Sequence, residues 1–358
     1  MFTLPAYSEP DFSLLSGSPD ASFIPCPKDG VAPKNFHAMS IYPEYFKVNG
    51  KWLLAEESRM DCVPVLEDSK ILIKEFRTLK KGELVAVGRT EDGSEGIFLH
   101  ENAFVQAEDS AQAFAFRQNR SRETAFSKDY DELYELLEYE KEHGKIVWVM
   151  GPACAFDHDT RESIAKLIKA GYMQALLAGN ALATHDLEAG LFGTALGQNV
   201  YTQESVANGH YCHLDLLNKA REAGSIEGLI NKYNIKDGII KACLENNVNI
   251  VLAGSIRDDG PLPPVYSDVY EAQDAMRNEV RDATTIIALA TTLHTIAVGN
   301  MTPSYRMHDG VLRPVYFYSV DVSEFPLNKL RDRGSLSSRT IVANVQDFVS
   351  QIAKRLVP

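Results

Sequence analysis

The chain has 358 residues, 45% of them hydrophobic and 24% charged, a composition that suits a folded globular protein with room for two domains and excludes a disordered or fibrous one. Lys and Arg number 36 against 49 Asp and Glu, and the formal charge of -13 repels polyanions, so no nucleic-acid partner and no acidic membrane surface is expected. Cys26, Cys62, Cys154, Cys212 and Cys243 are scattered without C-x-x-C spacing, no apolar run reaches the ~18 residues of a membrane span, and the N-terminus lacks a basic segment followed by an apolar one; the expectation is a reduced, cytoplasmic protein with no membrane span.

The first part of the chain, 1–125, reads as a small β-rich domain. Short β-prone runs at 71–76 and 84–87 alternate with Gly, Pro and Asp-Gly turn signals, and proline-rich pieces over 7–33 suggest an extended lead-in. From 129 to 143, DYDELYELLEYEKEH repeats Tyr and Leu at three- and four-residue spacing with Gly144 just beyond, which predicts a helix opening a second unit, 126–358. After it, short apolar runs alternate with helical patterns, as in a doubly wound parallel α/β sheet. Strands are expected at 145–150, 173–178, 248–253, 284–290, 315–320 and 340–345, and helices at 161–170, 213–223, 237–246, 270–281 and 345–356. Six parallel strands suit a Rossmann-like dinucleotide-binding sheet.

Ligands of open α/β sheets sit beyond the carboxyl ends of the strands, so each strand end is a candidate site. The first ends in GPACAFD, 151–157, small enough for close approach to a ligand but not G-x-G-x-x-G; a plain βα turn reads equally well. Cys154 lies there without any sign of an activated thiol. The second strand runs into AGNALATHDLE, where Asn180 could bond a ribose or carboxamide and the neighbours His185 and Asp186 could act as an acid/base couple. The competing reading is a helix start capped by Thr184 or Asp186. In NGHYCHLD, His210, Cys212, His213 and Asp215 invite a metal, but no second ligand cluster follows; a substrate pocket containing His210 is preferred and no metal is expected.

The third strand, VNIVLA, empties into GSIRDDG, which sets Arg257, Asp258 and Asp259 at a strand end; the bland alternative is a surface turn. The fourth strand leads to Thr291, Thr292 and His294 at a helix entrance, where phosphate or ribose contacts compete with simple N-caps. The fifth ends at Asp321, an acid placed to accept ribose hydroxyls and to favour NAD over NADP. Lys329, Arg331 and Arg333 read as a solvated helix end.

The segments AGNALATHDLE, GHYCHLD, LAGSIRDDGPLP, AQDAMR, TTLHTIAVGNMTP and KLRDRGS together resemble the archaeal and cyanobacterial type of ornithine cyclodeaminase, also labelled the lysine-oxoglutarate reductase/saccharopine dehydrogenase bifunctional type. The resemblance runs from about Gly144 to the C-terminus and is much weaker over the first 125 residues. It implies a deoxyhypusine-synthase-like NAD-binding fold, tightly held NAD, and conversion of ornithine to proline and ammonia by internal hydride transfer. It implies cofactor contacts at Asn180, Ala181, Asp259, Thr291, Thr292, Leu293, His294 and Asp321. For that reaction Arg257 is the candidate for the substrate carboxylate, Asp258 and His185 (with Asp186) for acid/base work, and His210 for a pocket contact. The loop GPACAFDHD and the N-terminal domain depart from the resemblance, which bears on the identity of the amino-acid substrate. A homo-oligomer is expected. Two alternatives stand beside it: an NAD-dependent opine or saccharopine-type dehydrogenase, and a non-catalytic NAD-binding sensor.

Overall fold

A computed structural model describes residues 2–105, 127–258, 260–323 and 336–358. The C-terminal sheet is built from β1 (Ile146–Met150), β2 (Ala175–Gly179), β3 (Asn249–Ala253), β4 (Thr285–Leu289), β5 (Tyr316–Asp321) and β6 (Ser337–Val342). All neighbours pair in parallel, and the order is 3-2-1-4-5-6, that of a Rossmann sheet. Alternate residues of each strand enter opposite layers. Ile146, Trp148 and Met150 pack with Leu176, Ile287 and Leu289 in one core, while Val147 and Val149 pack with Leu177, Ile286 and Ala288 in the other. Burial on both faces is why these strands read as unbroken apolar runs.

Nine helices flank the sheet among the described residues: α1 (Ser127–His143), α2 (His158–Lys169), α3 (Asn180–Phe192), α4 (Cys212–Ala223), α5 (Ile226–Tyr233), α6 (Ile239–Glu245), α7 (Val269–Arg281), α8 (Thr292–Met301) and α9 (Val345–Leu356). The strands fall within a few residues of expectation, the last lying three residues early. Helix α2 starts at 158 instead of 161 because Asp157 caps it, its carboxylate accepting from the Thr160 N–H at 3.1 Å. Helices α3 and α5 are additions to the expected set, and α8, for which no range was expected, follows the helix entrance read at Thr291 and Thr292. Ser225 caps α5 through the Gly228 N–H.

The N-terminal residues form small antiparallel sheets: Ser22–Pro25, Leu84–Val87, Cys62–Glu67 and Lys70–Glu75 in one, Lys51–Leu54, Glu44–Val48 and Ile97–Leu99 in another. A hairpin from the far half of the chain joins them. Tyr305–His308 and Val311–Pro314 pair around Asp309 and Gly310, both at positive φ (49° and 78°) as a two-residue hairpin turn requires. Tyr305 and Arg306 then pair with Ser58 and Glu57, and the buried Tyr305 hydroxyl donates to the Ala55 carbonyl at 2.9 Å. Arg313 reaches the buried Glu140 of α1, which also accepts from Thr284.

Within the N-terminal sheets, His37 and Glu44 are a buried pair, Nε2 to Oε2 2.6 Å. Burial works against the imidazolium, but the hydrogen bond and charge of Glu44 and the Gly88 carbonyl outweigh it and raise His37 above its ordinary value. A raised folded-state value stabilises fully below the unfolded one, and that contribution fades as pH rises through the folded one. The stability gap between wild type and His37→Gln in urea melts should therefore narrow as pH is taken upward from about 6. A gap independent of pH would contradict the charged pair.

Candidate active site

The strand order reverses between β1 and β4, and the backbone there is tightly drawn together. Gly151 donates its N–H to the Leu289 carbonyl at 2.8 Å, and a Cβ on Gly151 would overlap the Ala290 carbonyl oxygen and stand 3.1 Å from the Thr291 Cβ. Ala290 itself sits at φ 48°, a conformation that costs a residue with a side chain about 1–2 kcal/mol. At the end of β2, a Cβ on Gly179 would lie 3.0 Å from the His294 ring. His294 accepts or donates to the Thr291 hydroxyl at 3.2 Å, and burial holds its imidazole below the ordinary value, hence neutral at pH 7. Thr292 and Leu293 are exposed at the start of α8, and Asp321 is half-buried at the end of β5 with one oxygen taking the Ser323 N–H at 2.8 Å. Small residues at three strand ends, an uncapped helix start and a carboxylate one strand further are a donor and acceptor set that fits a dinucleotide at a switch point.

The loop after β3 is a closed turn. Asp258 accepts from the Ser255 N–H at 2.9 Å and returns its own N–H to the Ser255 carbonyl at 3.0 Å. Arg257 is exposed, its backbone N–H donating to the Ser255 hydroxyl at 3.2 Å, and no ion pair of its side chain is found among the described residues. Asn180 fastens this loop to β2: its side-chain oxygen accepts from the Leu262 N–H at 3.0 Å and from the Thr184 hydroxyl at 3.3 Å. Ala181 follows it, half-buried. A Cβ on Gly260 would collide with the Arg221 guanidinium, so α4 brings a second cation to the loop, one that no local motif announced. Asp259 and the stretch 329–333 lie outside the described residues.

His185 and Asp186 do not form a couple. Adjacent helix positions point about 100° apart, whereas positions three apart share a face. His185 Nδ1 meets Glu188 Oε2 at 2.9 Å, and Glu188 Oε1 accepts from the Thr194 hydroxyl at 2.9 Å. Phe156 and His213 flank the ring, with centroids 5.7 and 6.3 Å away. Asp186 turns to the other side and accepts from Arg161 Nε at 2.8 Å and from the N–H groups of Ile239 and Ile240 at 2.9 and 2.8 Å, capping α6. His210 is exposed and its ring lies tilted against Tyr211, centroids 4.3 Å apart; the histidine of that segment beside His185 is His213. Cys154 is fully buried, which pushes its thiol up to about 12, against any role as a nucleophile. His158, Asp159 and Glu162 could together meet a cation, but they are largely exposed and Lys166 already pairs with Glu162 at 3.0 Å.

Residues 132–352 match the family described as arginine dihydrolase ArgZ-like, C-terminal, Rossmann fold. The ornithine cyclodeaminase of Methanopyrus kandleri is 37% identical over 343 residues, spanning 93% of this chain and 77% of that protein. The crystal structure of a conserved LOR/SDH-type protein from Methanococcus maripaludis S2 superposes with a TM-score of 0.85 at 34% identity, covering 94% of this chain and 98% of that one. The ternary complex of AgrE with ornithine and NAD+ superposes at 0.57 with 32% identity, over 95% of this chain and 46% of the larger one. Such identity holds along nearly the whole chain, the N-terminal sheets included, and so exceeds a shared sheet topology: the chain belongs to the archaeal and cyanobacterial ornithine cyclodeaminase family.

Proposed function

We propose that this chain converts ornithine to proline and ammonia, with NAD lying across the carboxyl edge of the sheet. The observation that carries the reading is the switch point between β1 and β4, where Gly151, Gly179, Thr291 and His294 converge. A relative solved with both ornithine and NAD+ supports it. When bound, NAD supplies the hydride acceptor and donor at the substrate Cα, so the net reaction is redox-neutral. Asn180, Ala181, Asp259, Thr291, Thr292, Leu293, His294 and Asp321 are the proposed cofactor contacts.

The exposed Arg257 suits the substrate carboxylate, because its planar fork matches two oxygens at once. Asp258, which closes the turn beside Arg257, is the second proposed proton acceptor. His185 is the proposed base. Asp186, engaged with Arg161 and α6, is reassigned to structure, and the exposed His210 is withdrawn as a pocket contact in favour of His213. The units 1–125 and 126–358, assembly as a homo-oligomer and a cytoplasmic location remain proposals; no helix among the described residues is long and apolar enough to cross a membrane.

The protein incubated with NAD and ornithine should release ammonia with no lasting rise in NADH absorbance. NADH accumulating in step with substrate would favour the opine-type dehydrogenase. Release of ammonia from none of ornithine, lysine and diaminobutyrate would rule out the cyclodeaminase.

A further inference from the structure

Thr194, Glu188 and His185 form a continuous chain of side-chain hydrogen bonds. Glu188 is fully buried, and both its oxygens are engaged: one takes the Thr194 hydroxyl, the other His185 Nδ1. A carboxylate at Glu188 can only accept, so in a neutral ring paired with it Nδ1 carries the proton and Nε2 the lone pair. Nε2 has no hydrogen-bond partner among the described residues and is not sealed by protein atoms. The aromatic neighbours of the ring are Phe156, which follows β1, and His213 at the head of α4. Further along α4, Arg221 lies over Gly260 in the Arg257 loop, so this one helix borders both the imidazole and the loop.

Spacing along α3 points to what the imidazole meets. A rise of 1.5 Å per residue puts His185 about 7.5 Å along the helix from Asn180, at the strand ends. In an extended diamino acid the distal nitrogen stands about 5 Å from Cα. Resting on the cyclodeaminase reading, we propose that His185 Nε2 takes the proton of the distal ammonium of an α,ω-diamino acid, with Glu188 and Thr194 as positioning residues. The distal N–H bond breaks and its electron pair stays on nitrogen. That pair then forms the ring bond to the protonated imine carbon at Cα as the imine π pair moves onto the original nitrogen; a proton of the ring nitrogen passes to that nitrogen, the original Cα–nitrogen bond breaks as the ring C=N forms, and the departing ammonia takes the proton back from His185 as ammonium. The oxidation state of Cα is unchanged in this exchange, so the relay needs no further reactant.

Among the described residues, the titratable groups in contact with the ring are Glu188 on its own helix and His213 on α4. In the NAD-loaded protein, Glu188→Gln should lower kcat for ornithine about 10²-fold with little change in KM, and Thr194→Val about tenfold. Norvaline lacks the distal amine, so its single-turnover yield of NADH should be equal in wild type and both variants. In nitrogen-15 spectra of labelled histidine, the ring assigned to His185 by its disappearance in His185→Gln should be protonated at Nδ1 in wild type and lose that signature in Glu188→Gln, while the rings of His37 and His143, whose Nδ1 atoms face carbonyls, stay unchanged. Unchanged ornithine kcat in both variants, or norvaline oxidation lost along with ornithine turnover, would overturn the relay. Should Glu188→Gln fail to fold, Thr194→Val and the wild-type spectrum decide alone. No ammonia from ornithine with the wild-type protein would instead remove the cyclodeaminase reading on which the relay rests.

Discussion

Replacing Asp186 by alanine should cost about 3–5 kcal/mol of stability, the scale for removing one partner of a buried ion pair. Asp186 and Arg161 are 1% and 3% exposed, and the guanidinium cannot shed its charge. The second carboxylate on Arg161, Asp237 at 2.9 Å, is half exposed and cannot replace the buried one. The same substitution strips the first N–H groups of α6, Ile239 and Ile240, of their acceptor, in a helix whose N-cap is Gly238 and offers no side chain. Asp186→Asn keeps one acceptor oxygen and should lose less. Urea melts of the two variants give the comparison. A stable Asp186→Ala protein without turnover would return Asp186 to the chemistry and reverse the assignment made above.

The two fates of His185 and Asp186 show where the sequence was legible and where it was not. The sheet could be read because each strand is buried on both faces, so runs such as VNIVLA carry no polar interruption. The carboxyl-edge loops could be read because a strand's end is a position in the chain, and Asp321 and Arg257 stand where that position puts them. Helix α3 could not. Its segment NALATHDLEAGLF is buried nearly all round, Thr184, His185, Asp186 and Glu188 included, so it has no apolar stripe to announce its period. Its N-cap, Gly179, makes no side-chain hydrogen bond to mark the start. Without that start, adjacency suggested His185 with Asp186; with it, the spacing of three in HDLE pairs His185 with Glu188. The Asp309–Gly310 dipeptide is a hairpin signal that the strand reading passed over, and nothing local says that the hairpin leaves the large sheet for Ser58. Arg221 over Gly260 is a contact across 39 positions of sequence and had no local signal at all.

Gly151→Ala should be the most damaging single methyl in the C-terminal sheet, at about 3 kcal/mol, the upper end of ordinary overpacking. The obstacle is backbone and not a side chain that could swing away: the new Cβ would overlap the Ala290 carbonyl, whose own residue is already held at positive φ. Relief requires β1 and β4 to part at their carboxyl ends, which breaks the bond from Gly151 N–H to the Leu289 carbonyl and carries Thr291 and the start of α8 with it. Those same atoms border the switch point, so NAD affinity should fall at least about tenfold alongside stability. Gly17→Ala, where nothing lies within 4 Å of the new atom, is the control and should change neither. Equal melts and equal NAD titrations for the two variants would mean that the strands do not meet at Gly151 and that the crevice lies elsewhere. A fall in stability with NAD affinity intact would separate the two claims, keeping the close approach and moving the dinucleotide away from it.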